Sequence, residues 1–537
     1  MWYNGVNGLM PLRGDMVFRS KKKSITLLSA LFVAIALFLV IPGFTRTETR
    51  GFLSVRGNMV IDSSGNPVFL KGLNLEFKDF KTVLNEKDIR RISDMGANSV
   101  RLVLDSRDLE TSPYHYSDQG FALLDEILGW CERYGIFVIL DLHLAPGIQN
   151  PHDFVVHRED RYLFWEINDF QERFYALWDE IARRYADRRI IAGYDLLNEG
   201  VPPSIHEYRH VMNSVAYRIR TRDPHHMLIV QEAILAGWAK ELVLVEDRNV
   251  LYSVHFFYPP QFSFYATTTE RPITTYPGAM VTAGEPLEET KSEAITGTTG
   301  WNQIKIKAIP PKGAEILVVR IASRGNHGRI WFDDARLEVN GEPLDLPAPL
   351  IANNSFEIEY PGFNWGTDNP CIRISAHHVR SGKHSLEFSE CNSPGSAQSS
   401  PLQVKKGVYV LSLWYRAEDA TGDTHLSFSW HRKRVIREVT KESLMERLTY
   451  ALRFSKQHTV PLYIGEFTAH ANPSPDSAAN YLHDLLTLMR DEKLHWSFWE
   501  YYSVYPGVGI FTGNTPYVVH QTAFDVLGPY MKAGALK

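Results

Sequence analysis

The stretch Leu177–Glu199 reads LWDEIARRYADRRIIAGYDLLNE, an amphipathic helical pattern followed by a short basic segment and then a run of mostly apolar residues. Seven other strand-like runs occur along the chain: VFLKGLN (Val68–Asn74), NSVRLVL (Asn98–Leu104), IFVILDLH (Ile136–His143), HMLIVQE (His226–Glu232), LYSVHFFY (Leu251–Tyr258), PLYIGEF (Pro461–Phe467) and HWSFWEY (His495–Tyr501). Near-continuous apolar runs are typical of parallel strands covered by helices. Eight such strands with amphipathic stretches between them predict an α/β fold, the (β/α)8 or TIM barrel.

The composition of the chain excludes several classes of protein. Of its 537 residues, 44% are hydrophobic and 22% are charged, which excludes a disordered or fibrous protein. Lys plus Arg total 57 and Asp plus Glu total 62, a net charge of -5, so no argument favours nucleic acid as a partner. The three cysteines exclude a disulfide scaffold and a four-cysteine zinc site. Neither a cofactor nor a catalytic metal is predicted.

The spacing of the strand-like runs breaks once. Neighbouring runs are typically 25 to 50 residues apart, but 211 residues separate His255 from Glu466, too many for a structureless loop. The inserted stretch, about Gly278–Val435, has short alternating runs split by Gly, Pro, Asn and Ser, which are typical of an all-β sandwich. The predicted domains are therefore residues 51–278 for the first part of the barrel, 279–435 for a sandwich inserted after strand 6, and 436–537 for the second part.

The N-terminal region carries a long apolar run. Ile25–Ile41, ITLLSALFVAIALFLVI, is 17 residues without a charge and follows the basic residues Lys21–Lys23. This pattern indicates a membrane anchor or an export signal. Residues 1–24 are predicted to be cytoplasmic, 25–44 to be a transmembrane anchor or signal peptide, and the body to lie outside the cytoplasm. An uncleaved anchor is favoured, because no small-x-small cleavage site follows.

The cysteines are interpreted by their surroundings. An extracytoplasmic location permits a disulfide, and Cys371 and Cys391 are only 20 residues apart. Cys131 lies in the helical pattern LLDEILGWCERYGI and is interpreted as a core residue.

Chemically active side chains stand at the C-terminal ends of the predicted strands, where barrel active sites lie. Glu199 and Glu466 each end a strand on the same face. Two carboxylates across a cleft suit hydrolysis of a glycosidic bond, because one protonates the leaving oxygen and the other attacks the anomeric carbon. The other candidates at strand ends are Asn74, Arg101, His143, Asn198, Glu232, His255, Tyr258 and Trp499. Singly, each is more often structural, but the set in register predicts an active site.

Each candidate suits a definite task. Arg101 can keep a carboxylate ionised, Asn198 can bind a sugar 2-hydroxyl, and Trp499 offers a flat face to a pyranose ring. His143 and His255 can bond hydroxyls or tune the acid.

The strand-like runs and their flanking residues resemble glycoside hydrolase family 5, the cellulase family of retaining β-glycosidases. GNPVFLKGLN, MGANSVRL, YGIFVILDLHLAPG, VLYSVHFFYP, VPLYIGEF and HWSFWEY occur in that family's order. The resemblance implies that Glu199 is the acid/base and Glu466 the nucleophile. It implies substrate-binding roles for Arg101, His143, Asn198, His255, Tyr258 and Trp499. Phe257 stands where the family has a tyrosine, so either Tyr258 takes that role or the hydroxyl is missing.

The insertion resembles carbohydrate-binding modules of families 4 and 9. WNQIKIKAIPPKGAEILVVRIASRGNHGRIWFDDARLEV is similar to their C-terminal half, and NNSFEIEYPGF, VRSGKHSLEFS and GVYVLSLWYRA are similar to their N-terminal half. Because the halves occur in reverse order, a circularly permuted, jelly-roll-like sandwich is predicted. Trp365 is the candidate ligand contact, Trp331 and Trp414 are assigned to the core, and Asp333–Asp334 to a turn or strand end rather than to calcium.

The sequence thus predicts a retaining β-glycosidase that hydrolyses a β-glucan or related polysaccharide through a glycosyl-enzyme intermediate. One alternative is a glycan-binding surface protein built on an inactive barrel, against which the intact Glu199 and Glu466 argue. Another is the same enzyme class acting on mannan, on a glycolipid, or as a transglycosylase. The two carboxyl groups are expected to lie about 5 to 5.5 Å apart. Arg101 is expected to keep Glu466 ionised, and Glu199 is expected to titrate at higher pH.

Overall fold

The protein contains a closed barrel of eight parallel strands. The computed structural model describes residues 51–150, 163–235, 239–263, 275–343, 356, 371–391, 393–399, 401–470, 474–503, 508–512 and 518–532. The barrel strands are β1 (Lys71–Glu76), β2 (Ser99–Asp105), β3 (Phe137–Leu144), β4 (Ile191–Asp195), β5 (Met227–Gln231), β6 (Val250–Phe256), β7 (Leu462–Phe467) and β8 (His495–Phe498). Each strand pairs with its neighbours in sequence, and β8 pairs with β1, which confirms the predicted barrel.

Helices follow seven of the eight barrel strands within the described part of the chain. They are α1 (Glu86–Met95), α2 (Asp118–Tyr134), α3 (Asn168–Tyr185), α4 (Ile205–Arg220), α5 (Lys441–His458), α6 (Pro475–Asp491) and α7 (Gln521–Lys532). Shorter helical turns span Phe77–Lys81, Ser106–Leu109, Leu163–Glu166 and Pro260–Ser263. Two helices end in the left-handed conformation at glycine just before the next strand, at Gly96 (φ 96°) and Gly135 (φ 71°), as the sequence pattern predicts.

The connection after β5 departs from the helix-after-strand pattern. Its described residues form a β-hairpin, in which Ala233–Leu235 pairs with Ala239–Glu241. The strand Ala239–Glu241 is exposed and lacks the apolar stripe that a covering helix needs. This hairpin lies on the same side of the barrel as the ends of β4 and β6, because Ile234 N donates to Gly200 O at 2.9 Å and Lys240 Nζ donates to His255 O at 3.1 Å.

The core of the barrel has two layers. Apolar side chains between the strands and the helices form one continuous cluster, which includes Leu102, Trp178 and Leu485. A smaller cluster near the start of the strands includes Ile139, Leu251 and Tyr463. The N-terminal hairpin Ser54–Arg56/Met59–Ile61 packs on this second cluster through Leu53 and Val60, so it covers the end of the barrel opposite the strand ends that carry the candidate residues.

The insertion between β6 and α5 consists of two antiparallel sheets. One contains Gly278–Lys291, Asp423–Val439, Ile316–Arg324, Gly395–Gln398 and Leu402–Gln403, and the other Gly297–Ala308, Tyr409–Ala420, Arg329–Val339, Ser385–Ser389, Ile372–Ser375 and Glu342–Pro343. Residues from both sheets share one apolar core, which includes Leu317, Phe332 and Trp430. The sheets therefore pack as a sandwich, and its circular permutation stays a prediction.

The two ends of the insertion lie side by side. Gly278 pairs with Val439, and the antiparallel ladder between these two strands extends to Lys291 and Ser427. The returning strand continues to Val439, four residues beyond the predicted end of the sandwich at Val435, and Thr440 then caps α5. The insertion therefore begins and ends at neighbouring positions, an arrangement that allows a domain to be inserted without disrupting the barrel.

Some predicted features fall outside the described residues. They include the apolar segment Ile25–Ile41, the loop centred on Trp365, and most of the loops Pro146–Phe164 and Gln261–Gly278. Among the described helices, none has the length and apolarity needed to cross a membrane. The membrane anchor therefore stays a prediction.

Candidate active site

Glu199 and Glu466 meet at the C-terminal end of the barrel. Glu466 lies within β7, in register with His255 on the adjacent β6. Glu199 follows β4 with a φ of 40°, a region that residues other than glycine seldom adopt and that is concentrated at active sites. A carboxylate oxygen of Glu199 and one of Glu466 lie within 4.8 Å of each other. The Glu466 side chain is nearly buried, whereas that of Glu199 is 28% exposed.

Arg101 organises the floor of the site. Its guanidinium is fully buried and donates to Glu466 Oε1 at 2.7 Å and to Asp195 Oδ2 at 2.8 Å. It also forms an ion pair with Asp141 Oδ1 at 2.8 Å. It also donates to Asn74 Oδ1 at 3.1 Å and Asn198 Oδ1 at 2.9 Å. The surrounding carboxylates hold the pKa of Arg101 well above its ordinary value in spite of its burial. A permanent cation therefore lies against one oxygen of Glu466.

Two aspartates of this network were absent from the predicted site. Asp141 and Asp195 lie inside apolar strand runs, in DLH and GYDLL, and this position is the signal that identifies them, because a buried carboxylate needs a partner. Burial raises the pKa of Asp195 to about 6, with repulsion from Asp141 adding to it and Arg101 opposing it. Gln231 Nε2 donates to Asp195 at 2.9 Å, and its Oε1 accepts from the backbone N of Glu199 at 3.0 Å.

His255 lies between the two glutamates. Its Nδ1 is 2.8 Å from Glu199 Oε1 and 3.5 Å from Glu466 Oε2. The ring packs against Gly465, where an added Cβ would lie 2.7 Å from Ser253 Oγ and 3.0 Å from His255 Nε2. The glycine before the nucleophile candidate therefore leaves room for the Ser253 hydroxyl and the imidazole.

The pKa of Glu199 moves in the opposite direction to the prediction. Burial raises it, but the hydrogen bond and charge of His255, assisted by Lys240 and His143, outweigh burial and lower the pKa to about 2. The expectation that Glu199 titrates at higher pH is therefore wrong for the site without substrate. The physical reason is the 2.8 Å bond from the imidazole, which stabilises the ionised carboxylate.

The opposite wall of the site carries His143 and Trp499. The imidazole of His143 stacks on the indole of Trp499, with ring centroids 5.5 Å apart and planes inclined by 19°. His143 Nδ1 lies 2.9 Å from Asp141 Oδ2, and its Nε2 lies 3.2 Å from Asn198 Nδ2. The structure thus brings His143, Asn198 and Trp499 together with the glutamates, as predicted residues of one site.

Tyr258 is placed at the junction with the insertion. The Arg447 guanidinium of α5 lies over its ring at 4.5 Å, and its side chain hydrogen-bonds Arg437, which raises the pKa of that arginine. Phe257 instead makes an edge contact with His255, with ring centroids 6.3 Å apart. The structure thus puts a phenyl ring where the family resemblance expects a phenol, and the substrate-binding role of Tyr258 stays a prediction.

Comparison with known proteins shows sequence similarity to enzymes that act on glycosides. Residues 61–307 match the sequence model of cellulase (glycosyl hydrolase family 5). A beta-xylosidase of Phanerodontia chrysosporium is 30% identical over 247 residues, which are 38% of this chain and 51% of the relative. Endoglucanase C of Acetivibrio thermocellus is 31% identical over 184 residues (34% and 52%), and cellodextrinase A of Ruminococcus flavefaciens is 29% identical over 188 (34% and 54%).

The chain thus spans about half the length of the curated relatives it matches. Together with the barrel, these matches support a glycoside hydrolase as the class of this domain. Within that class they support family 5, as the sequence motifs suggest. The last part of the matched range, residues 278–307, falls in the inserted sheets rather than in the barrel.

The Glu199–His255 pair gives a testable pH dependence. A carboxyl that must be protonated in the first step loses activity as the pH rises through its pKa. In His255→Ala the partner that lowers the pKa of Glu199 is removed, so that pKa rises. We expect the alkaline limb of the kcat/KM profile to move to higher pH, together with a lower maximal rate. The exposed His483 provides the control variant His483→Ala, and an unmoved limb in His255→Ala would contradict the pairing.

Proposed function

We propose that this protein is a retaining β-glycosidase in which Glu466 is the nucleophile and Glu199 the acid/base. The observation that carries the proposal is the separation of the two carboxylates, whose oxygens lie within 4.8 Å. Retaining enzymes hold their carboxyl groups about 5 to 5.5 Å apart, whereas inverting enzymes leave about 6.5 to 9.5 Å for a water molecule. The short separation supports direct attack by a carboxylate.

In this proposal each carboxylate oxygen of Glu466 has its own task. Arg101 holds Oε1 of Glu466 at 2.7 Å, which leaves Oε2 to attack the anomeric carbon. As that bond forms, the glycosidic C–O bond breaks and Glu199 gives a proton to the leaving oxygen. Glu199 is then left as a carboxylate, which the 2.8 Å hydrogen bond to His255 Nδ1 stabilises. In the second step Glu199 takes a proton from water, which attacks the anomeric carbon and releases Glu466.

The proposed substrate is a β-linked glucan or a related polysaccharide. Relatives named endoglucanase and cellodextrinase support this class, and the Trp499 indole offers a stacking face for a pyranose ring. The test measures activity on a panel of β-glucans, xylan, mannan and aryl β-glycosides. NMR determines which anomer of the product sugar is formed first. We expect cleavage of a β-glucan with retention. Cleavage of mannan alone with retained anomeric configuration would identify mannan as the substrate, and transfer of the sugar to an acceptor would identify a transglycosylase. A product of inverted configuration would reject the proposal.

An inactive, glycan-binding barrel is the competing proposal. It predicts binding without turnover on every member of the panel. The arrangement of Glu199, Glu466 and Arg101 weighs against it, because a barrel that only binds has no need of two facing carboxylates and a buried cation.

We further propose that the inserted sandwich helps to position substrate. Its support is the sequence resemblance to carbohydrate-binding modules and its position after β6, next to the strand ends that carry His255 and Glu466. Trp331 is buried, as predicted. The assignment of Trp414 to the core is wrong, because its indole is half-buried on a sheet surface and covered by the Arg380 guanidinium at 4.0 Å.

Removal of the insertion tests this role. Because Gly278 and Val439 are paired, a short linker can join the chain across the deletion of residues 279–438. We expect the ratio of polysaccharide to aryl-glycoside activity to fall severalfold, since aryl glycosides need no extended binding surface. Thermal unfolding checks that the barrel has folded. An unchanged ratio in a folded variant would make the sandwich a spacer or a stabilising element.

The proposed location is outside the cytoplasm. Cys371 and Cys391 form a disulfide in the sandwich, with Cα atoms 5.4 Å apart, and disulfides persist in oxidising compartments. The predicted anchor Ile25–Ile41 suits the same location. Fractionation of producing cells, with the disulfide probed by thiol labelling, tests it; reduced cysteines in a cytoplasmic fraction would contradict it.

A further inference from the structure

The hairpin that follows β5 places a lysine beside the acid/base candidate. Ile234 is in register with Lys240 across this hairpin. Ile234 N donates to Gly200 O at 2.9 Å, which ties the hairpin to the residue after Glu199. Lys240 Nζ donates to the carbonyl oxygen of His255 at 3.1 Å, the residue whose Nδ1 lies 2.8 Å from Glu199 Oε1. Burial lowers the pKa of Lys240, but Glu232 and, after it, Glu199 and Glu466 raise that pKa above its ordinary value.

A buried carboxylate fixes the position of this lysine. Glu232, at the end of β5, is 3% exposed, and its Oε1 accepts from Lys240 Nζ at 2.5 Å. The same oxygen accepts from the backbone N of His255 at 3.3 Å, and its Oε2 accepts from the hydroxyl of Tyr450 on α5. Three elements of the fold therefore converge on Glu232 and hold Lys240 in one place.

The ammonium retains a free donor. An ammonium carries three N–H groups, and within the described residues Lys240 Nζ donates to two acceptors, Glu232 Oε1 and His255 O at 3.1 Å. The side chain is 33% exposed, so the group is not sealed in the core. A charged donor that is held by its other two bonds is well suited to bind a hydroxyl of a ligand, because little side-chain entropy remains to be lost.

The barrel order decides which part of a substrate this donor meets. β5 lies between β4, which precedes Glu199, and β6, which carries His255. The platform Trp499 follows β8 and lies on the opposite side of the ring of strands. Since the acid/base protonates the leaving oxygen, the wall of the cleft beside Glu199 faces the leaving group.

We propose that Lys240, held by Glu232 and Tyr450, binds a hydroxyl of the sugar on the leaving-group side and so selects substrates whose leaving group is a sugar. This inference rests on the proposed glycosidase function and names a specificity residue for it. A nitrophenol leaving group has no sugar hydroxyl that could accept a hydrogen bond from this ammonium.

The experiment compares one oligosaccharide and one nitrophenyl glycoside with the same sugar in the glycone position, using the full chain. In Lys240→Met we expect kcat/KM for the oligosaccharide to fall about tenfold more than for the nitrophenyl glycoside, the scale of a lost hydrogen bond to a charged group. The loss should lie mainly in KM. Lys240→Gln keeps an N–H donor and should recover part of the ratio.

Controls separate this inference from the proposed function. Lys456→Met removes an exposed lysine of α5 and should leave the ratio at the wild-type value. Tyr450→Phe removes one bond to Glu232 while Lys240 stays, and a smaller fall in the same ratio is expected. Equal losses on both substrates in folded Lys240→Met and Lys240→Gln would overturn the inference while the function stands. Absence of turnover in the wild-type chain would instead reject the function.

Discussion

Glu466→Ala is expected to abolish turnover of every β-glycoside that the protein cleaves. The variant lacks the carboxylate that attacks the anomeric carbon, so neither step of the double displacement can proceed. We expect a loss of more than about 10⁴-fold in kcat, the scale seen when a covalent nucleophile is removed. Activity is measured on an aryl glycoside and on a polysaccharide, and Glu126→Ala, which removes an exposed glutamate of α2, should match the wild type.

Two comparisons make this result specific. Azide added to Glu466→Ala can enter the space left by the carboxylate and attack the anomeric carbon once, which should give a glycosyl azide of inverted configuration. Glu199→Ala should instead spare the first step on substrates with activated leaving groups, because these depart without a proton. Equal activity of Glu466→Ala and wild type, or azide products from Glu199→Ala with inverted configuration, would reject the assignment.

Arg101→Met is expected to destabilise the barrel strongly. Asp141, Asp195 and Glu466 surround the buried guanidinium at 2.7 to 2.8 Å, and without it three carboxylates face one another in the core. Breaking a buried ion pair typically costs about 3 to 5 kcal/mol, so we expect a loss of at least that size in the free energy of unfolding. The measurement is urea unfolding, with the soluble fraction recorded for a variant that fails to fold.

The pH dependence of this variant follows from the same charges. Burial raises the pKa of Asp195 to about 6 although the charge of Arg101 opposes this rise, so without the cation that pKa moves further above its unfolded value. The folded variant is therefore favoured while Asp195 holds a proton and loses stability as the pH rises. The loss in free energy of unfolding caused by Arg101→Met should therefore be larger at neutral than at mildly acidic pH. Arg107→Met removes a half-exposed arginine paired with Asp105 and should cost about 0.5 kcal/mol or less. An equally small cost in Arg101→Met would contradict the buried network.

The barrel and its main carboxylates follow from local patterns in the sequence. Eight apolar runs and the helical patterns between them predict the strand order, and the position of Glu199 and Glu466 at strand ends predicts their meeting. The sequence predicts that Arg101 keeps Glu466 ionised, and the two side chains form an ion pair at 2.7 Å. These successes share a cause: in a parallel barrel, position along the strand determines which face a side chain reaches.

Other features depend on distances that no local pattern encodes. The hydrogen bond between His255 and Glu199 reverses the expected pKa shift, and it arises from the placement of two different strands. The contacts of Tyr258 with arginines near the insertion follow from how the chain returns at Val439 and continues into α5. The sequence places Glu232 at a strand end, but its partners Lys240 and Tyr450 come from a hairpin and a helix that are 8 and 218 residues away.

The paired strands at the base of the insertion also have a consequence for biosynthesis. About 200 residues separate the end of β6 from the start of β7, which a ribosome adds in roughly 10 to 40 s at about 5 to 20 residues per second. During that interval six barrel strands exist without the two that close the ring, so β1 and β6 present open edges that invite aggregation. The sandwich has its own core and is complete before β7 emerges. Nascent chains of this protein should therefore depend on chaperones most heavily while the sandwich is being made.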